Sequence, residues 1–141
     1  GDVYKRQGYE KALNEAGIPV DEDLVYFEGL KVKSGYVASE KFLASGKNFD
    51  GIICASDEIA MGAINGLREK GVNTPEDVSV IGFNDNVVAS YFYPKLTTVK
   101  QPSYDMGSVA MRMLIKILNN KPLEEAEFIL NHELIERESC K

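Results

Sequence analysis

Hydrophobic and polar positions alternate in blocks that switch between helical and extended periods. Tyr9–Ala16 reads as a helix, and Gly17 supplies its stop, because glycine enters a left-handed turn without a Cβ clash. Leu24–Phe27 reads as a short strand, and Ser34–Ser45 as a second helix ended by Gly46. Gly51–Ala55 (GIICA) is a continuous apolar run, the pattern of a strand covered on both faces. A helix follows from about Asp57 to Lys70. Ser56 or Asp57 supplies its cap, Arg68 and Lys70 suit the negative end of its dipole, and Gly71 terminates it. Val78–Phe83 (VSVIGF) is a second buried strand.

Strand, helix and strand at this spacing imply a parallel pair joined by a right-handed crossover. The expected class is α/β, with a doubly wound parallel sheet. Beyond an irregular aromatic stretch at Tyr91-Phe92-Tyr93-Pro94, Leu96–Gln101 is a strand candidate ended by Pro102. Tyr104–Asn119 has the clearest helical period. Met106, Val109, Ala110, Met113, Leu114 and Ile117 recur on one face, with Arg112 and Lys116 opposite. Glu127–Leu130 and Glu133–Glu136 read as two last strands, with His132 between them.

In open parallel sheets, ligands bind beyond the carboxyl ends of the strands. GIICA runs into Ser56-Asp57, VSVIGF into Asn84-Asp85-Asn86, and LTTVK into Gln101. These short planar amides, carboxylates and hydroxyls suit a hydroxyl-rich small molecule, at about 0.5–1.5 kcal/mol net per neutral hydrogen bond. The same residues have plainer readings. Ser56 and Asp57 cap a helix, 84–86 make a turn, and Gln101 satisfies backbone at a strand end.

Charge and residue inventory narrow the functions. Lys and Arg number 16 against 22 Asp and Glu, for a net charge of −6, and the basic residues are scattered. A duplex-binding surface needs them clustered, so this segment is a poor grip for DNA. Cys54 reads as a buried free thiol and Cys140 as a tail thiol. One histidine and no CxxC give no zinc spacing, and neither metal nor cofactor is expected. A nucleophile elbow and a P-loop lysine motif are both missing, so no catalytic residue is assigned. No apolar run reaches the roughly 20 residues of a membrane helix, and the expected location is cytoplasmic.

The segments ASDEIAMGAINGLREKGVNTPEDVSVIGFND (55–85) and PKLTTVKQPSYDMGSVAMRMLIKILNNKP (94–122) resemble the effector domain of LacI/GalR transcriptional regulators. GYEKALNEAG (8–17) and NHELIERESC (131–140) fit the same pattern, so the resemblance spans nearly the whole chain. It implies a periplasmic-binding-protein-like fold of type I, with two α/β subdomains around a cleft. Residues 8–96 would form most of the C-terminal subdomain. Residues 97–121 would be a crossover strand and helix of the N-terminal subdomain, and 122–141 would return to the first. The chain would then be truncated, with residues 1–7 (GDVYKRQ) similar to a translated adapter scar. Burying the apolar face of the 104–119 helix would contribute roughly 7–15 kcal/mol as an upper bound. The chain alone is therefore expected to be unstable or to aggregate.

The resemblance also implies a role. A small effector, a sugar or sugar phosphate, would shift the subdomains and change the grip of a homodimer on operator DNA. DNA would be held only by an N-terminal head outside this chain, and no membrane would be involved. The implied ligand residues are Lys5, Leu30, Ser56, Asp57, Asn84 and Gln101. Lys5 stands where many members have Arg, Leu30 where an aromatic often packs, and Asn84 where Asp is usual. These departures remove a bidentate fork, a stacking face and a charged acceptor, the last worth about 1 kcal/mol. The implied dimer surface comprises Ile59, Met61, Ile64, Val88 and Phe92, since the apolar residues of the 57–70 helix outnumber what one core face needs. Two alternatives remain open. One is a periplasmic-type sugar-binding receptor. The other is a regulator controlled by a phosphorylated protein partner, because 104–125 is similar to the catabolite control protein A branch.

Overall fold

The computed structural model describes residues 2–27, 29–123, 125 and 127–141. Helices α1 (Asp2–Glu15), α2 (Val32–Ala44), α3 (Asp57–Glu69) and α4 (Ser103–Leu118) accompany strands β1 (Gly51–Ile53), β2 (Ser79–Asn84), β3 (Thr97–Lys100) and β4 (Glu133–Ile135). The sheet order is β1-β2-β3-β4. β1, β2 and β3 are parallel, with Ile53 opposite Ile81 and Asn84 opposite Lys100, and β4 runs antiparallel to β3. The expected α/β class is therefore present, in a sheet that is parallel-dominated rather than wholly parallel. β4 comes back to the β3 edge only after α4, and pairs there antiparallel.

Several local expectations change. Glu22–Leu24 is a short 3-10 turn, with the Asp21 side chain accepting from the Asp23 amide, where a strand over 24–27 was expected. GIICA is not covered on both faces. β1 lies at the sheet edge, and Ile53 is 66% exposed. Glu127–Leu130 holds no strand at its described residues, and Phe128 and Ile129 are exposed there. α1 begins at Asp2 and runs without a break to Glu15.

The core gathers Cys54, Ala60, Ala63, Ile64, Leu67, Val80, Ala89 and Leu96. α3 sits between β2 and α2 and buries more than one face. Its two coverings meet different needs. The sheet side takes the apolar stripe. On the other side small residues bring two helix backbones together. A Cβ on Gly62 would fall 1.8 Å from the Val32 carbonyl oxygen, and one on Gly35 would fall 1.9 Å from that of Ile59. α3 is followed by Gly71, at φ +78°, and the Val72 amide bonds back to the Leu67 carbonyl at 3.0 Å. This is the helix stop expected from the sequence.

The chain end is stitched between β2 and β3. Ser139 is buried; its hydroxyl donates to the Val80 carbonyl at 2.6 Å and accepts from the Thr97 amide at 2.8 Å. Cys140 is half-buried beside it, its thiol donating to the Val80 carbonyl at 3.3 Å, so it is not a loose tail thiol. α4 is the exception to this close packing. None of its residues is buried, and Met106, Leu114 and Ile117 stay open. Among the described residues, no helix is long and apolar enough to cross a membrane.

Gly62→Ala should lower stability by about 1–3 kcal/mol, the usual cost of overpacking. Alanine's higher helix propensity, worth about 1 kcal/mol, acts in the opposite direction. A net loss in urea denaturation therefore isolates the steric contact, and an unchanged midpoint would refute the close helix approach.

Candidate functional site

The tips of the parallel strands lead into polar residues on one side of the sheet. β1 continues through Cys54 and Ala55 to Ser56, β2 ends on Asn84, and β3 stops just before Gln101. Over these tips lies a cleft of about 570 Å³. Its floor is Ala55, Ser56, Glu58 and Asn84. Leu30, Lys31 and Val32 wall it at the start of α2, and Lys5 of α1 completes it. The volume is within the usual small-molecule range of roughly 300–1,000 Å³.

Each polar group is held by its neighbours. The Ser56 hydroxyl caps α3 by accepting from the Ile59 amide at 3.3 Å. Gln101 Nε2 donates to Asn84 Oδ1 at 3.0 Å, which ties the ends of β2 and β3 together at the cleft. Lys5 Nζ donates to the Ala55 carbonyl at 3.0 Å and lies 4.4 Å from the centre of the Phe83 ring. Leu30 is exposed at the mouth. Ser56, Asn84, Lys5 and Leu30 thus line one concavity, and Gln101 reaches it through Asn84.

Asp57 does not belong to this group. It is fully buried beneath the cleft. Its Oδ1 accepts from the Thr98 hydroxyl at 2.5 Å and its Oδ2 from the Asn86 amide at 2.6 Å. Burial raises its pKa above the usual carboxylate value, while these two donors pull the other way. Gly82 makes room for the carboxylate, since a Cβ there would fall 2.3 Å from Oδ1. Asp57 therefore joins α3 to β3 and to the corner after β2, and it is not among the residues that line the cleft. The neighbouring Cys54 thiol is pushed up to about 12, by burial first and by the Asp57 charge second.

The corner itself is backbone-constrained. Asn84 and Asp85 have φ of 108° and 55°, a region that non-glycine residues seldom enter. The Asp85 amide donates to Thr98 Oγ1 at 3.3 Å, and the Asp85 carboxylate accepts from Arg137 at 2.7 Å. Neither Thr98 nor Arg137 stands out in the sequence. Their partners are 41 and 52 residues away, and no local pattern announces such a pair. Lys31 was missed as well, although it adjoins Leu30.

Of the residues expected on a partner surface, Met61 and Ile64 are covered by the chain itself, at 7% and 2% exposure. α3 does not pack on a single core face, because α2 and the sheet cover it from two sides. Ile59 and Phe92 are half-buried, packed against the core. Val88 remains exposed, next to exposed Val87, Tyr91 and Tyr93.

Residues 3–140 match the family of periplasmic binding protein-like domains, and the chain belongs to that family. It is 63% identical over 139 residues to the HTH-type transcriptional regulator RegA of Clostridium saccharobutylicum, covering 99% of this chain and 41% of that protein. It is 42% identical over 134 residues to catabolite control protein A of Streptococcus mutans, covering 95% of this chain and 40% of that one. The crystal structure of the regulator CcpA of Lactococcus lactis superimposes with a TM-score of 0.89 at 35% identity, over 99% of this chain and 51% of that chain. A complex of the regulator CelR with cellobiose gives a TM-score of 0.91 at 35% identity, over 97% and 42%. The chain thus spans about 40% of the length of the curated relatives it matches.

Asp57→Ala should cost about 2–5 kcal/mol, because it strands a buried hydroxyl and a backbone amide. Asp57→Asn should cost less. Because the folded pKa is raised, the native state holds the proton more tightly. The stability of the wild type relative to D57N should then fall as pH rises from 3.8, the ordinary value, through the raised folded value. Urea titrations of both variants across that range check the sign.

Proposed function

We propose that this chain is the effector-sensing and dimerisation part of a bacterial LacI/GalR-type transcriptional regulator, acting in the cytoplasm on genes of carbohydrate use. The observation that carries this is the cleft where Lys5, Ser56 and Asn84 meet, with Gln101 bonded to Asn84. Fixed amide and hydroxyl groups suit sugar hydroxyls, and the Lys5 and Lys31 ammoniums at the rim suit a sugar or sugar phosphate. Relatives named as transcriptional regulators support this role over a periplasmic receptor. Operator DNA would be held by a head outside this chain, consistent with a net charge of −6. The exposed apolar face of α4 supports its placement on a second subdomain. Effector binding would favour one subdomain arrangement by about 1–3 kcal/mol and so bias operator affinity.

A thermal-shift screen of sugars and sugar phosphates on the intact protein should find a stabilising ligand. Asn84→Ala and Gln101→Ala should each weaken it by about 5- to 10-fold, the loss of one hydrogen bond. A sugar that stabilises both variants as well as the wild type would place the site elsewhere. A response only to a phosphorylated protein partner would favour control by that partner instead.

Homodimerisation would use the exposed Val87, Val88, Tyr91 and Tyr93, extended by Ile59 and Phe92. Val88→Glu should weaken self-association at least about tenfold in sedimentation equilibrium, as burying an unpaired charge at an interface does. An unchanged association constant would remove this surface from the dimer.

A further inference from the structure

Arg137 lies just past β4 and does not line the cleft, yet its contacts converge on the cleft's corner. One guanidinium nitrogen donates to the Leu96 carbonyl at 2.8 Å and another to Asp85 Oδ1 at 2.7 Å. The Arg137 amide donates to Thr97 Oγ1 at 2.9 Å, which fixes the base of the side chain to β3. Both members of the Arg137–Asp85 pair are mostly shielded from water, at 18% and 16% side-chain exposure. Such a pair is far less screened than a surface ion pair.

Asn84 and Asp85 occupy successive left-handed conformations without being glycine. A chain holds such a conformation only when surrounding contacts over-determine it. Besides the side-chain bonds of Asn84 to Gln101 and of Asn86 to Glu58, three contacts on Asp85 and the Asn86 backbone do so here. The Asp85 amide bonds Thr98, the Asn86 amide bonds Asp57, and the Asp85 side chain is gripped by Arg137. The first two hold backbone from beneath the cleft. The third reaches the corner from the far end of the chain and is the only one that bonds the Asp85 side chain among the described hydrogen bonds.

We propose that Arg137 is a positioning residue for the cleft: through Asp85 it holds the 84–86 corner in the conformation that presents Asn84 to a bound ligand. This rests on the effector reading of the cleft. Its guanidinium fork serves two acceptors at once, which the single ammonium of lysine does not reproduce.

The test uses the intact protein that carries this chain and has two readouts. The first is amide hydrogen exchange without ligand. Arg137→Ala should speed exchange at Asp85 and Asn86 by about tenfold or more, while the Cys54 and Ala60 amides stay as in the wild type. Arg137→Lys should fall between. The second is calorimetric titration with cellobiose, ribose and glucose 6-phosphate as probes. For any probe that binds the wild type, Arg137→Ala should raise Kd by about tenfold, and Arg137→Lys by less. Unchanged exchange at 85–86, or equal acceleration of all four amides, overturns the proposal. So does a loosened corner with unchanged Kd. If no probe binds the wild type, the result counts against the effector reading for these ligands, and the exchange data alone decide whether Arg137 holds the corner.

Discussion

The buried carboxylate of Asp57 is the contact on which the arrangement of this molecule depends. A charge removed from water must be met by donors, and here the Thr98 hydroxyl and the Asn86 amide meet it. Those donors come from β3 and from the corner after β2, while Asp57 itself opens α3. One side chain therefore registers a helix start and two strand tips against each other. Gly82 is part of the same device, because any side chain there would occupy the carboxylate's place. The cleft lies where the helix start and these two strand tips are drawn together beneath it.

The rest of the chain divides by how it packs. α3 is enclosed on two sides, by the sheet and by α2, and its small residues let the two helix backbones touch. α4 has a helical stripe just as regular, but buries nothing. The same pattern of apolar residues thus has opposite outcomes in one molecule. Periodicity reports that a helix has a face to bury, whereas only the neighbouring elements determine whether that face is covered. The matched relatives are longer than this chain by more than a factor of two, and the open face of α4 is the place where the proposed second subdomain would sit.

Much of the candidate site was legible in the residues. Ser56, Asn84 and Gln101 each follow an apolar strand run, and parallel strands carry such residues to the same edge. Lys5 and Leu30 came only from the family resemblance, since nothing in their surroundings marks them. The burial of Asp57 is not legible in the same way. A helix-start aspartate next to a polar rim reads alike whether it faces outward or inward, and its inward turn follows from Thr98, 41 residues away. Arg137 was invisible on the same grounds. Met61 and Ile64 were assigned to a partner surface because a sequence does not reveal that a helix has two neighbours.

What the sequence by itself determined was local and repetitive. Apolar runs marked most strands, three- and four-residue spacing marked the helices, glycines marked the helix stops, and the order of polar strand ends marked the rim. These features depend on residues a few positions apart, so they can be read along a line. The tertiary structure alone decided which polar group was buried, which edge β1 occupies, and which ion pair grips the corner at Asp85. Those outcomes depend on donors and walls contributed by distant segments, and only the folded chain brings their atoms within hydrogen-bonding range.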